Sequence, residues 1–318
     1  MISTEFKYSL DRGSRKFPCP VCERKRFVRY VDNETGDYLS PEYGRCDREN
    51  NCGYHEPPRE AGLTSTRPRH LKPEQPKPLK PTTLPIEYVE RSEGNYGRNT
   101  LIAWMATLPG WSTKMAEEAA RRYRVGTTDE GWAIFWQIDE QDKLRSGKMI
   151  RYGEDGRRQK EGYSYDWVHS MLKRKGYLDD FHLVQCFYGL HLVDESKLVA
   201  IVESEKTAII ASQYLPQFHW IASGQLQGIN EYKLQPLAGR RIILFPDCGA
   251  FDQWQAYADE FRDIADFTVS GLLEQKGDKS KGYDLADYLI QFQPGDFWNP
   301  NTGEIFDERR YPKDWDEI

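Results

Sequence analysis

The run Val199-Ala200-Ile201-Val202-Glu203-Ser204-Glu205-Lys206-Thr207-Ala208 and the later run Ile242-Ile243-Leu244-Phe245-Pro246-Asp247 decide the fold. Each reads as a short, continuously apolar strand, the pattern of a strand buried on both faces of a parallel sheet, and each delivers a carboxylate at its C-terminal end. Ligands of open α/β sheets gather at those ends. Two acids on neighbouring strand tips would make a hard-oxygen site for Mg²⁺, which on proteins usually serves phosphoryl chemistry. The reading therefore requires the two strands to be adjacent. Glu205 competes with Glu203 for the metal-facing role, and Lys206-Thr207 opens a helix whose N-terminus can receive phosphate oxygens.

Outward from these strands, Ala208 to Tyr214 and Trp254 to Phe261 read as helices, so strand and helix alternate across residues 198 to 290 and a parallel sheet is expected. After Asp247, Gly249 permits a tight turn, and Asp252 and Gln253 precede the next helix. A third acidic site lies in Lys281-Gly282-Tyr283-Asp284-Leu285-Ala286-Asp287-Tyr288-Leu289. There Asp284 and Asp287 stand three apart at a helix start, on one face and near its positive end. Acids that only cap a helix have the same pattern.

Upstream, Asn99 to Thr107 and Ser112 to Tyr123 are predicted helices around Leu108-Pro109-Gly110, with Ser112 as N-cap. Trp132 to Ile138 and Leu144 to Tyr152 are predicted to pair as a hairpin across the turn 139 to 143. A net charge of -6 and a pI near 5.7 exclude a uniformly basic surface but not a local patch. Lys143, Arg145, Lys148, Arg151, Arg157, Arg158, Lys160, Lys173, Arg174 and Lys175, with Tyr152, Tyr163, Tyr165 and Trp167 between them, form one. Such a patch can hold a single strand by phosphate contacts and base stacking. No apolar run reaches membrane length, and Met1 to Arg15 lacks the apolar stretch of a signal peptide, so a cytoplasmic protein with reduced thiols is expected.

Cys19-Pro20-Val21-Cys22 is followed by Cys46, Cys52 and His55 in a module too small to fold on apolar burial alone. Two cysteine pairs flanking a hairpin suit tetrahedral Zn²⁺ in a structural ribbon, with Cys19, Cys22, Cys46 and Cys52 as ligands. The loose second pair leaves His55 open as a ligand in place of Cys46 or Cys52. Arg24, Lys25, Arg26, Arg29, Arg45 and Arg48, interleaved with Phe27, Tyr30, Tyr38 and Tyr43, suit single-stranded nucleic acid. The proline series from Pro57 to Pro85 reads as an extended, semi-rigid linker.

Together these pieces resemble the TOPRIM domain of topoisomerases, nucleases and bacterial DnaG-type primases. Val202-Glu203-Ser204-Glu205-Lys206-Thr207 matches the family's glutamate motif, Pro246-Asp247-Cys248-Gly249 its Asp-x-Asp motif, and Tyr283-Asp284-Leu285-Ala286-Asp287 the primase-type tail. Trp132 to Ile138, Gly147 to Gly153 and Cys186 to Leu190 are similar to the basic segment that precedes TOPRIM in primases. The chain looks most like the compact primase-like proteins of phages and mobile elements, although its zinc-ligand pattern is not the usual primase one. It also departs from the family at Gly249, where the second aspartate would fall. Asp252 is one candidate to compensate; otherwise the metal relies on Glu203, Asp247, Asp284 and Asp287.

The resemblance implies an α/β fold in five parts: a zinc-ribbon module (1–56), a Pro-rich linker (57–85), a mixed α+β basic subdomain (86–196), a TOPRIM domain with a parallel sheet flanked by helices (197–296) and a C-terminal tail (297–318). It implies a DNA primase, a nucleotidyltransferase that makes short RNA primers on single-stranded DNA for a phage or mobile element. Glu203, Asp247, Asp284 and Asp287 would be catalytic, the first three holding Mg²⁺ or Mn²⁺. Lys148, Arg151, Arg158 and Lys206 would meet template or nucleoside triphosphate, and a replicative helicase would act in trans. Two alternatives stand beside it: a metal-dependent TOPRIM nuclease, which uses much the same acids, and a non-catalytic recombination mediator in which the zinc module and a degenerate TOPRIM serve only to bind DNA.

Overall fold

The structure is a computed structural model that describes residues 7–13, 15–47, 52–58, 81–276, 282–299 and 302. Most of the expected linker, Arg48, Lys281 and the tail beyond residue 302 lie outside the described residues. The chain divides into two compact units, Met1–Lys77 and Pro78–Ile318.

In the first unit β1 (Tyr8–Leu10), β2 (Phe27–Asp32), β3 (Gly44–Cys46) and β4 (His55–Glu56) form an antiparallel sheet in sequential order. Among the described residues its buried apolar side chains are Cys19, Phe27, Val28 and Cys46, with Phe17, Cys22, Cys52 and Tyr54 packed against them. Gly44 is required at the tight pairing of β2 with β3, since a Cβ there would lie 2.3 Å from the Val28 carbonyl oxygen. So few apolar groups cannot offset the ordering entropy of the ribbon, which must be held another way.

The second unit opens with α1 (Glu87–Ser92), α2 (Thr100–Met105) and α3 (Thr113–Arg122). Asn99 and Ser112 cap α2 and α3 by accepting the N–H groups of Ile102 and Met115. The strands β5 (Val125–Thr127), β6 (Ala133–Ile138), β7 (Leu144–Ile150) and β8 (Tyr165–Trp167) form an antiparallel sheet in that order, followed by α4 (Val168–Arg174). The predicted hairpin is its β6–β7 pair.

The remainder alternates strand and helix: β9 (Leu198–Val202), α5 (Glu205–Tyr214), β10 (Phe218–Ala222), α6 (Glu231–Leu234), β11 (Arg241–Leu244), α7 (Phe251–Phe261), β12 (Asp266–Val269), α8 (Leu272–Lys276) and α9 (Leu285–Leu289). The four strands are all parallel, in the order β10-β9-β11-β12. One apolar cluster joins Tyr96, Leu101, Phe135 and Tyr152 to Tyr188, Ala208, Phe245 and Leu289. The expected basic subdomain and the parallel-sheet region therefore share this cluster across residue 196, beside two further clusters in the same unit. The start of the expected tail is also part of it: Phe297 is buried against Tyr214, and the Trp298 indole N–H donates to the Gln213 carbonyl at 2.8 Å. Among the described residues no helix is long and apolar enough to cross a membrane.

Candidate functional site

Ile242 pairs with Val199 and Leu244 with Ile201, so the tips of β9 and β11 lie side by side. Because β10 sits on the other side of β9, the chain reverses its direction of travel across the sheet between β9 and β11. That is the topological switch point, where such sheets open a crevice. Glu203 and Asp247 leave the sheet at this place.

Asp284 and Asp287 are brought to the same crevice. The Cys248 N–H donates to the Tyr283 carbonyl at 3.0 Å, and the Thr207 hydroxyl on α5 donates to Asp284 Oδ2 at 3.0 Å. The two aspartates also form a capping box on α9: Asp284 Oδ1 accepts the Asp287 N–H at 2.8 Å, and Asp287 Oδ2 accepts the Asp284 N–H at 3.2 Å. Capping and membership of the acidic group are thus both realised. Each carboxylate oxygen has two lone pairs, so capping does not exhaust them.

The electrostatics show how closely these acids are coupled. Burial, then the charges of Asp284, Glu203 and Asp287, push Asp247 up to about 8, with Lys206 opposing. Burial also raises Glu203, aided by Asp284 and Glu205 and opposed by Lys148 and the Leu226 N–H. Asp287 is raised by burial and by Asp284, against the Asp284 N–H, Lys206 and Arg157. This is the signature of like charges gathered in a partly desolvated crevice with too little countercharge. The acids are coupled without being tightly clustered: among the described residues only the cysteines gather three or more ligand atoms within 4.8 Å of one another.

Of the two glutamates, Glu205 is the one engaged by Lys148. Glu205, at the first turn of α5, is 2% exposed, and its oxygens accept from Lys148 Nζ at 2.9 and 3.1 Å. The same ammonium donates to the Gly224 carbonyl at 2.8 Å. The charge of Lys148, expected at template or triphosphate, is therefore satisfied inside the protein. Replacing Lys148 with Met would leave a buried carboxylate uncompensated, at a cost of about 3–5 kcal/mol. By calorimetry the unit should melt about 10 °C lower, and Lys148→Met/Glu205→Leu should recover most of that; a single-variant loss below about 2 °C would refute the assignment.

Sequence reading missed the loop 223–228, which joins β10 to α6. Lys148 holds its Gly224 carbonyl, and Lys233, buried in α6 and lowered by that burial to about 8, donates to the Ser223 carbonyl at 2.9 Å. The Gly224 N–H of this loop donates to the Glu203 carbonyl at 2.9 Å, and the Leu226 N–H lies near enough to oppose the rise of the Glu203 carboxyl. Two ammonium groups on consecutive carbonyls thus fix the backbone that orients Glu203. The available signal was Gly224 and Gly228 between a strand and a helix, where Gly224 has φ +83° and a Cβ on Gly228 would meet the Ser223 oxygen at 2.3 Å.

At Gly249, φ is +94°, and the N–H donates to Glu274 Oε1 at 2.5 Å. That carboxylate, from α8, is the one that touches this turn; Asp252 is exposed in the first turn of α7, and its side chain makes no hydrogen bond among the described residues. Of the remaining expected binding residues, Arg151 and Arg158 are exposed, with Arg158 over the Tyr165 ring at 4.9 Å. Lys206 is half-buried over Trp104 and close enough to Asp247 and Asp287 to lower both.

In the first unit Cys19 Sγ lies 3.6 Å from Cys52 Sγ, and Cys22 Sγ 3.9 Å from Cys46 Sγ. A tetrahedron with Zn–S of about 2.3 Å has edges of about 3.8 Å, so the four thiols fit Zn²⁺ without rearrangement. His55 is not in the cluster: its ring stacks on Tyr30 and its Nε2 is 3.0 Å from the Tyr30 hydroxyl, which closes the alternative ligand set.

Residues 6–66 match the model of a zinc beta-ribbon finger family, and residues 99–248 match a domain of unknown function, DUF6371. The second match spans Lys148, Glu203 and Asp247 and stops before Asp284. A search of curated proteins finds no match. Among solved structures, the chain is similar to the Aquifex aeolicus primase (zinc binding and RNA polymerase domains), at 10% identity and TM-score 0.40, covering 90% of this chain and 78% of that one. It is also similar to the primase fragment of the bacteriophage T7 primase-helicase protein, at 11% identity and TM-score 0.36, covering 80% and 88%. A DNA primase domain from Pseudomonas aeruginosa matches at 14% identity and TM-score 0.33, covering 65% and 66%.

Proposed function

We propose that this chain is a TOPRIM-type nucleotidyltransferase that makes short primers on single-stranded DNA. The observation that carries the reading is the coupled set Glu203, Asp247, Asp284 and Asp287 at the switch point of a parallel sheet. A set of carboxylates short of countercharge suits a hard divalent cation, Mg²⁺ or Mn²⁺, and the spread of their oxygens suits one that keeps several waters. When bound, the cation neutralises charge on the attacking and leaving oxygens of phosphoryl transfer. The chain's own groups orient the site. The loop 223–228 fixes Glu203, Thr207 fixes Asp284, and Lys206 and Arg157 offer positive charge beside the acids for nucleotide phosphates. Exposed Arg151 and Arg158 would meet the template phosphates, and the zinc ribbon would help choose the start site. Replication of a phage or mobile element, with a helicase acting in trans, is the setting that the family resemblance implies.

A single-stranded template, ribonucleotides and Mg²⁺ or Mn²⁺ should yield short labelled products that vanish without divalent cation. Template cleavage without nucleotides would instead identify a nuclease. The turn at Gly249, which holds no second aspartate, favours one further reading, a DNA-binding mediator. That reading predicts salt-sensitive binding indifferent to Mg²⁺ and to Glu203→Ala, with no product in either assay.

A further inference from the structure

The sheet β5-β6-β7-β8 has two faces, and successive residues of β7 serve different ones. Lys148 reaches Glu205, whereas Met149 points with Ile134 and Trp136 into a cleft of about 530 Å³ between α1 and α4. This volume is within the range of small-molecule sites. The cleft floor is apolar and its mouth is aromatic. Trp132 and Tyr163 stand with ring centroids 5.8 Å apart, and Tyr163 is 61% exposed, far more than packing needs. Arg174 steadies the mouth by donating to the Tyr163 hydroxyl at 3.0 Å while paired with Asp166. Two other cations at the rim, Arg91 and Lys175, are exposed and make no ion pair or side-chain hydrogen bond among the described residues. Asp129 and Glu130 line the same cleft.

We infer that this cleft binds a nucleobase together with its phosphate, on the face of the sheet opposite the acidic centre. An exposed aromatic pair offers a stacking surface to any base, Arg91 and Lys175 offer countercharge to the phosphate, and Asp129 and Glu130 can accept from exocyclic amino groups. A purely lipidic or aliphatic ligand would leave both rim cations and both rim acids unused. The same chemistry is presented by a free nucleotide and by one splayed base of a single strand. The inference does not rest on the polymerase reading, because the cleft contains none of Glu203, Asp247, Asp284 or Asp287.

The test is photocrosslinking of the full chain in EDTA, so that no divalent cation assists binding at the acids. One arm uses 8-azidoadenosine triphosphate, the other a bromodeoxyuridine-substituted oligonucleotide, and adducts are mapped by peptide mass spectrometry. Adducts are expected on the peptides carrying Trp132 or Tyr163, reduced about tenfold in Tyr163→Ala and in Arg91→Glu. Both positions are exposed, and an unchanged melting temperature would establish that the variants fold. Labelling by the nucleotide alone assigns a free nucleotide as the occupant; labelling by the oligonucleotide alone assigns a strand. Absence of cleft adducts in both arms, or adducts of equal yield in the two variants, overturns the inference.

Discussion

Replacing Cys46 with serine is expected to unfold the N-terminal ribbon while residues 81–299 stay folded. Among the described residues the ribbon buries few apolar side chains, Cys19, Phe27, Val28 and Cys46, so its stability must come from the metal that the four thiols fit. Structural Zn²⁺ contributes about 10–16 kcal/mol in comparable small modules, more than so small a core supplies. The second unit has apolar clusters of its own and should not respond. Metal analysis should therefore show zinc lost from the variant, limited proteolysis should cut within residues 7–58, and the main thermal transition should be unmoved. A variant that keeps its zinc, or a zinc-free ribbon that still resists protease, would show that another ligand set or another source of stability holds this unit. Chelation of the unaltered protein should reproduce the variant.

Asp247→Asn should produce opposite effects on activity and on stability. Without its charge, primer synthesis should fall by at least about 100-fold, beyond the 10–100-fold typical of losing a group that merely supports a metal ligand. The metal-free protein should nevertheless become more stable at alkaline pH. Burial and three neighbouring acids raise Asp247 in the folded chain to about 8, above its ordinary carboxylate value. A raised folded-state value means that the stabilising contribution is complete below about pH 4 and is lost as pH climbs towards 8. In chelator, then, the unaltered protein should lose melting temperature between pH 5 and 8 by roughly 5 °C or more, whereas Asp247→Asn should lose less. Mg²⁺ or Mn²⁺ should restore the unaltered protein at pH 8 and leave the variant unmoved. Parallel pH profiles for the two proteins in chelator would remove the acidic crevice as a cation site.

Much of this architecture was legible because the relevant physics is local. An unbroken apolar run ending in an acid specifies a strand buried on both faces, and Val199 to Glu203 and Ile242 to Asp247 carry that information without reference to neighbours. Ser112 before an amphipathic run specifies a helix start, and Cys19 and Cys22 at knuckle spacing specify a metal clip. The loop 223–228 was not legible, because nothing in Ser223 or Gly224 alone reveals that two distant ammonium groups grip their carbonyls. Nor was the shared core, since Phe135 and Phe245 enter one apolar cluster only once the chain has turned back on itself.

By itself, the sequence determined the order of parts: a cysteine ribbon, a hairpin rich in cations, and alternating strands and helices with acids at their ends. Tertiary structure alone decided which of those groups work together. It set β9 beside β11, so that Glu203 and Asp247 share one crevice, and it buried Glu205 against Lys148 while leaving Glu203 without such a partner among the described residues. It likewise excluded His55 from the cysteine cluster. The physical reason is common to all three: a side chain's charge and ligating capacity belong to its residue, but whether they are spent inside the fold or offered outside depends on partners that are remote in the chain.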